Sequence, residues 1–116
     1  IHCTPDTDGG YQAATELLKR KENISSILAY NDLVALGVMK ACETLERNIP
    51  EDIAVIGADD IPLASFIKPT LSTLRINKRE LGQQAMANLA NMIDEDKTID
   101  KELTIQPELV LRESTL

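Results

Sequence analysis

The stretch "ISSILAYNDLVALGVMKACETLERNIPEDIAVIGADD", residues 24–60, sets two apolar runs on either side of one long patterned segment. The end of the first run, Ile27 to Tyr30, reads as a buried strand. The second, Ile53 to Ile56, is a continuous run rich in β-branched residues, the pattern of a strand buried on both faces. Between them Val34, Val38, Ala41 and Leu45 form a helical stripe, and the helix is expected from Asp32 or Leu33 to about Arg47. Leu36, Met39 and Cys42 widen its apolar surface beyond the ~100° of a one-sided helix, so cover is expected on two sides. Strand, helix and strand with short connections make a βαβ unit, which implies a parallel sheet.

Two polar pairs punctuate this unit. Asn31 stands where it can cap the helix, and Asp32 places a carboxylate in its positive first turn. Gly57 is expected to close the second strand, which leaves Asp59 and Asp60 just past its carboxyl end. In an open parallel sheet the ligand crevice lies at the carboxyl ends of the strands. If the two strands are neighbours, Asn31 and Asp59 face one small cavity. An amide offers both a donor and an acceptor and a carboxylate accepts two hydrogen bonds, which suits a vicinal diol or a similar polyhydroxyl ligand. The plainer alternative makes Asn31 only a helix cap and Asp59 only a turn residue. As an acid and base the Asp59–Asp60 pair is poor, because adjacent side chains point to opposite sides of an extended chain.

Working outward, "DTDGGYQAATELLKRK" reads as a helix entered through Thr7 or Asp8 and ending near Glu22–Asn23, with Tyr11, Ala14, Leu17 and Leu18 on one face. Pro62 and Pro69 exclude any long helix from residues 61–71, and a short strand is expected from Ser72 to Ile76. "NKRE", residues 77–80, is a capping box opening a helix that turns Leu81, Ala85, Leu89, Met92 and Ile93 inward and fades at residues 94–97. Pro107 interrupts the last extended segment, giving two short strands or an edge.

The bulk properties exclude several functions. With 116 residues and 43% hydrophobic content there is one domain's worth of core. A formal charge of −7 argues against this chain itself gripping a polyanion, and 3% aromatic residues leave little with which to stack bases. Lys19 to Lys21 and Arg75 to Arg79 are short basic runs beside acids, read as solvated surface. Two cysteines and one histidine make neither a disulfide framework nor a zinc site, and Cys42 within the helical pattern reads as a small buried hydrophobe. No metal or cofactor is expected, and no catalytic or phosphate-binding motif points to an enzyme. No apolar run reaches the ~18 residues of a membrane span. Reduced thiols fit the cytoplasm, and an opening Ile1 suggests a fragment.

Taken together, "SSILAYNDLVALGVMKACETLERNIPEDIAVIGADD", "PTLSTLRINKRELGQQA" and "PELVLREST", preceded by "GGYQAATELL", resemble the LacI/GalR family of bacterial transcriptional regulators. The likeness runs from "GGYQAATELL" to the carboxyl terminus. It implies a Rossmann-like α/β architecture: a parallel sheet flanked by helices, forming an incomplete periplasmic-binding-protein-like lobe. Residues 1–76 would be the carboxyl-terminal lobe of an effector-binding core, and residues 77–116 a crossover helix and terminal strands completing a two-lobed core. The resemblance implies that Asn31 and Asp59 contact a small-molecule effector, a sugar or related metabolite. Asp32 and Asp60 would support them. Pro5 and Ile76 depart from the family pattern, standing where many members carry an aromatic ring and a glutamine. The family forms dimers, which makes Leu36, Met39, Ile61, Leu63, Phe66 and Ile67 candidates for a homodimer interface, with the lobe's own core as the alternative. DNA would be touched only through an amino-terminal helix-turn-helix outside this chain. The rival reading is the sugar-binding component of an ABC transporter, which shares the fold.

Overall fold

The computed structural model describes residues 1–20, 23–93 and 104–115. Its elements in chain order are α1 (Thr7–Lys19), β1 (Ser26–Leu28), α2 (Asp32–Thr44), β2 (Ala54–Ala58), a short 3-10 turn (Pro62–Ser65), β3 (Ser72–Arg75), α3 (Lys78–Ile93) and β4 (Glu108–Val110). The chain divides into two compact units, Ile1–Arg75 with Leu109–Leu116, and Ile76–Glu108. The terminal residues therefore rejoin the first unit instead of staying with the segment after residue 76.

In the first unit the strands lie in the order β1-β2-β3-β4. β1 and β2 run parallel with Leu28 opposite Ile56, and β2 and β3 run parallel with Ile56 opposite Ser72. The expected βαβ unit is thus present, but its burial differs from expectation. β1 is an edge strand: Ser26 and Leu28 are exposed, and Leu28 keeps 72% of its surface. β2 alternates between buried and half-buried residues, because α2 covers one face and the other is only partly covered. Gly57 lies inside β2, which continues to Ala58. A Cβ there would lie 2.2 Å from Asp32 Oδ1, so the missing side chain makes room for the start of α2.

α2 has the two-sided cover its sequence implies. Val34, Val38, Ala41 and Cys42 are buried, and they join Val55 and Leu71 in one core cluster. Ala35 and Gly37, outside the expected stripe, are also buried, and Gly37 lies against α1. The two helices approach so closely that a Cβ on Gly37 would fall 2.1 Å from the Thr7 carbonyl oxygen, and one on Gly10 2.2 Å from that of Val34. α1 starts one residue earlier than expected, because Asp6 is its cap and accepts from the Gly9 N–H at 2.7 Å. It also stops sooner, at Lys19, with Arg20 already extended.

The carboxyl terminus contributes to the sheet in an unexpected way. The Ser114 side chain accepts from the Ser72 N–H at 2.8 Å and donates to the Val55 carbonyl at 2.6 Å. The Val55 N–H in turn donates to the Ser114 carbonyl at 3.0 Å. Ser114 is fully buried, so these bonds fasten the chain end to β2 and to the start of β3.

In the second unit α3 begins at its expected cap: Asn77 accepts from the Glu80 N–H at 3.1 Å, while its side-chain amide donates to the Glu80 carboxylate at 3.2 Å. No described residue of α3 is buried, and Leu81, Leu89, Met92 and Ile93 are exposed, contrary to the expectation that they turn inward. Their periodicity is amphipathic, but periodicity supplies a face and not the surface that covers it. Residues 94–97, where the helix was expected to fade, fall outside the described residues.

The α1–α2 contact carries a direct expectation. Gly37→Ala forces a methyl group against rigid backbone on the facing helix and should destabilise the unit by about 1–3 kcal/mol or more. The midpoint of chemical denaturation measures it, and an unchanged midpoint would show that the helices can move apart without loss.

Candidate functional site

The carboxyl ends of β1, β2 and β3 gather the polar residues singled out in the sequence. Asn31 follows β1 and caps α2: its Oδ1 accepts from the Val34 N–H at 2.8 Å, and its Nδ2 donates to the Pro5 carbonyl at 3.3 Å. Capping uses one lone pair and one N–H of the amide, leaving a second of each for another partner. The two roles weighed for Asn31 are therefore compatible. Pro5 is brought beside Asn31, through its carbonyl oxygen and not through a ring face.

Asp32 is fully buried and is the main tie among the strand ends. Its Oδ1 accepts from the Thr73 hydroxyl at 2.6 Å, and its Oδ2 accepts from the Ile61 N–H at 2.8 Å. One carboxylate at the start of α2 thus holds β3 and the loop that follows β2. The helix dipole favours its negative charge there.

The Asp59–Asp60 pair is not extended, as had been expected, but turns sharply. Asp59 has φ 110° and Asp60 φ 48°, both in the left-handed region that residues with a Cβ rarely adopt. The Asp59 N–H donates to the Leu74 carbonyl at 2.9 Å and the Asp60 N–H to the Thr73 hydroxyl at 3.3 Å. Asp60 is gripped from both sides: Arg112 Nη2 donates to its Oδ1 at 2.7 Å and Arg75 Nε to its Oδ2 at 2.6 Å. Burial by itself would push this carboxyl up, but hydrogen bonds and charge from Arg112, then Arg75, hold it below the usual carboxylate range. Asp59, half-buried at the end of β2, stands one strand over from Asn31. Ile76 is exposed and belongs to the other compact unit.

Sequence reasoning missed Thr73, Arg75 and Arg112. Thr73 and Arg75 carry no signal apart from strand alternation, and Arg112 lies 52 residues from its partner Asp60. A second cluster near the terminus was also missed. Glu113 accepts from the Thr70 N–H at 2.7 Å, from Lys68 at 2.9 Å and from the Thr70 hydroxyl at 2.9 Å, which draw its carboxyl down to about 2. In α2, burial pushes the Cys42 thiol up, so it stays protonated as a small hydrophobe.

The dimer candidates fall in two places. Leu36, Met39 and Ile67 line an open groove of about 620 Å³, with Lys40, Ile49 and Pro69 among its other walls. Met39 is also part of the core, 8% exposed. Phe66 and Leu63 stand out on the 3-10 turn at 81% and 47% exposure, while Ile61 packs half-buried against the core.

A family model described as a periplasmic binding protein-like domain matches residues 1–115. The chain belongs to that family. It is similar to the ribose operon repressor of Escherichia coli (strain K12), 38% identical over 107 residues, 92% of this chain and 32% of the relative. A solved LacI family transcriptional regulator from Arthrobacter sp. FB24, in complex with lactose, superposes with a TM-score of 0.87 at 38% identity over 100% of this chain and 44% of the other. One from Enterococcus faecalis V583 with bound ribose gives 0.85 at 31% identity, over 99% and 42%. The chain spans about a third of the length of the curated relatives it matches, and those relatives include transcriptional regulators and repressors. Among the described residues no helix is long and apolar enough to cross a membrane.

The paired guanidiniums give the site an acid dependence of definite sign. Asp60 and Glu113 both have folded pKa values below their ordinary ones, so the stability they contribute is present above the ordinary carboxylate range and is lost as pH falls through the folded values, which for Glu113 is about 2. Asp60→Asn should lower the melting temperature at pH 7 and flatten its decline as pH falls below the ordinary aspartate value of 3.8. Melting curves across that range decide it; a parallel decline in both proteins would mean that the carboxylate adds nothing to the fold.

Proposed function

We propose that this chain is the effector-sensing part of a LacI-type transcriptional regulator and that its ligand is a sugar or a closely related polyhydroxyl metabolite. The observation that carries the reading is the placement of Asn31 and Asp59 at the carboxyl ends of adjacent parallel strands, with Asp59 held in a left-handed turn. Asn31 keeps one donor and one acceptor beyond its capping bonds, and the Asp59 carboxylate adds acceptors, the complement of a vicinal diol. A relative named for ribose, and neighbours bound to lactose and ribose, support a sugar as the ligand. Their being regulators favours this role over that of a transporter's sugar-binding component or an enzyme.

In this reading the effector biases the relative orientation of two lobes, and DNA is contacted through a helix-turn-helix of the regulator that is not among these residues. The effector acts only through unequal affinity for the two orientations, and by linkage DNA changes effector affinity by the same factor. A cytoplasmic protein follows from that role. The groove along Leu36, Met39 and Ile67, with Phe66 and Leu63 beside it, is the face we assign to a second copy of the chain. Large apolar side chains exposed at 81% and 47% are the kind an isologous contact would bury.

Two measurements test this reading in the natural full-length polypeptide that contains these residues. A thermal-shift screen with D-ribose and lactose should give a concentration-dependent rise that Asp59→Ala abolishes while its unliganded melting temperature stays near that of the wild type. A full-strength shift in the variant would reduce Asp59 to a turn residue. Phe66→Asp should weaken the dimer at least about thirtyfold without unfolding the lobe, because the side chain is already exposed. Analytical ultracentrifugation reads this, and an unchanged dimer would place the interface elsewhere.

A further inference from the structure

Two consecutive left-handed residues that are not glycine, Asp59 and Asp60, are unfavourable by themselves and persist only where the surroundings over-determine them. Four restraints act here. Three come from backbone or from neighbouring elements: Asp59 N–H to Leu74, Asp60 N–H to Thr73, and Ile61 N–H to Asp32. The fourth is the pair of guanidiniums on the Asp60 carboxylate.

The two arginines are not equivalent. Arg75 has a side chain 45% exposed, and an ion pair made by a long exposed side chain restrains its partner weakly. The Arg112 side chain is 17% exposed and held at both ends. Its backbone N–H donates to Ser72 Oγ at 2.7 Å, its Nη1 to the Leu71 carbonyl at 2.6 Å and its Nη2 to Asp60 at 2.7 Å. The planar fork therefore spans two fixed acceptors, one at the entry to β3 and one in the loop after β2. That geometry belongs to a guanidinium and not to a point-charge ammonium. With both carboxylate oxygens of Asp60 engaged, the carboxylate plane is fixed, and with it the turn that begins at Asp59.

We propose that Arg112 is a positioning residue for ligand recognition: by clamping Asp60 it holds the left-handed turn in the conformation that sets Asp59 at the carboxyl edge of the sheet. The proposal rests on the reading that Asp59 meets the ligand. It gives the terminal segment a second task besides fastening β2 to β3 through Ser114.

The test uses the natural full-length polypeptide and two variants, Arg112→Met, which keeps the apolar stem, and Arg112→Lys, which keeps the charge but cannot span Leu71 and Asp60 with a planar fork. Three quantities are read: amide hydrogen exchange in residues 58–62, calorimetric dissociation constants for D-ribose and lactose, and the melting temperature. Arg112→Met should raise exchange in 58–62 more than in the rest of the sheet. It should also weaken binding of whichever sugar the wild type binds by about tenfold or more, with Arg112→Lys in between. Adding Arg112→Met to Asp60→Asn should weaken binding little further, since both remove one contact. Exchange rising evenly over the sheet, with affinity following the unfolded fraction, would overturn the proposal in favour of a purely structural arginine. So would raised exchange in 58–62 with unchanged affinity. Binding of neither sugar by the wild type counts against the sugar reading, whereas exchange in 58–62 unmoved by Arg112→Met overturns the clamp itself.

Discussion

The Asp32 carboxylate, fully buried at the first turn of α2, is the contact on which the polar end of the sheet depends. A buried carboxylate is tolerated only when it is hydrogen-bonded, and here the Thr73 hydroxyl and the Ile61 N–H meet that need. Each partner belongs to a different piece of backbone, so satisfying one side chain fixes three of them together. Gly57 completes the arrangement, because any side chain there would strike Asp32 Oδ1. Replacing Asp32 with an apolar residue would leave the Thr73 hydroxyl and the Ile61 N–H unpaired, which is why this position is costlier to change than an ordinary helix-start acid.

Around that anchor two kinds of restraint meet. Apolar packing between α1, α2 and the sheet sets the distance between layers, down to backbone contact at Gly10 and Gly37. Polar bonds set direction: Asn31 to Val34 and Pro5, Asp60 to Arg112 and Arg75, Ser114 to Ser72 and Val55. Packing energy is tolerant of small rotations, whereas hydrogen bonds weaken steeply with angle. A site that recognises hydroxyl groups needs the second kind, and the strand ends are where this chain concentrates it.

The left-handed turn at Asp59 and Asp60 shows how strain and support are divided. The backbone there is unfavourable by itself, and its support comes from β3 and from the chain terminus. The helix amino end contributes indirectly, through Asp32 and Ile61. A side chain whose backbone is held in this way loses little freedom on meeting a partner, so more of each hydrogen bond's energy is available to the contact.

What the sequence determined by itself was local and periodic. The apolar stripe of α2, the cap at Asn31, the β-branched run of β2 and the capping box at Asn77 to Glu80 are each written within a few residues, because helix and strand periodicity and capping act over that range. The placing of Asn31 and Asp59 beyond strand ends followed from the same local marks. What only the tertiary structure decided was burial and long-range pairing. β1 reads as buried but has a single neighbour, and α3 has an apolar face that its sequence cannot cover. Asp60 reads as half of an extended acidic pair, yet it sits between Arg75 and Arg112, 15 and 52 residues away. A hydrogen bond across such a separation leaves no periodic trace, since nothing in the intervening chain must repeat for it to form. The residues that orient the candidate site therefore emerge only once the strands have been brought side by side.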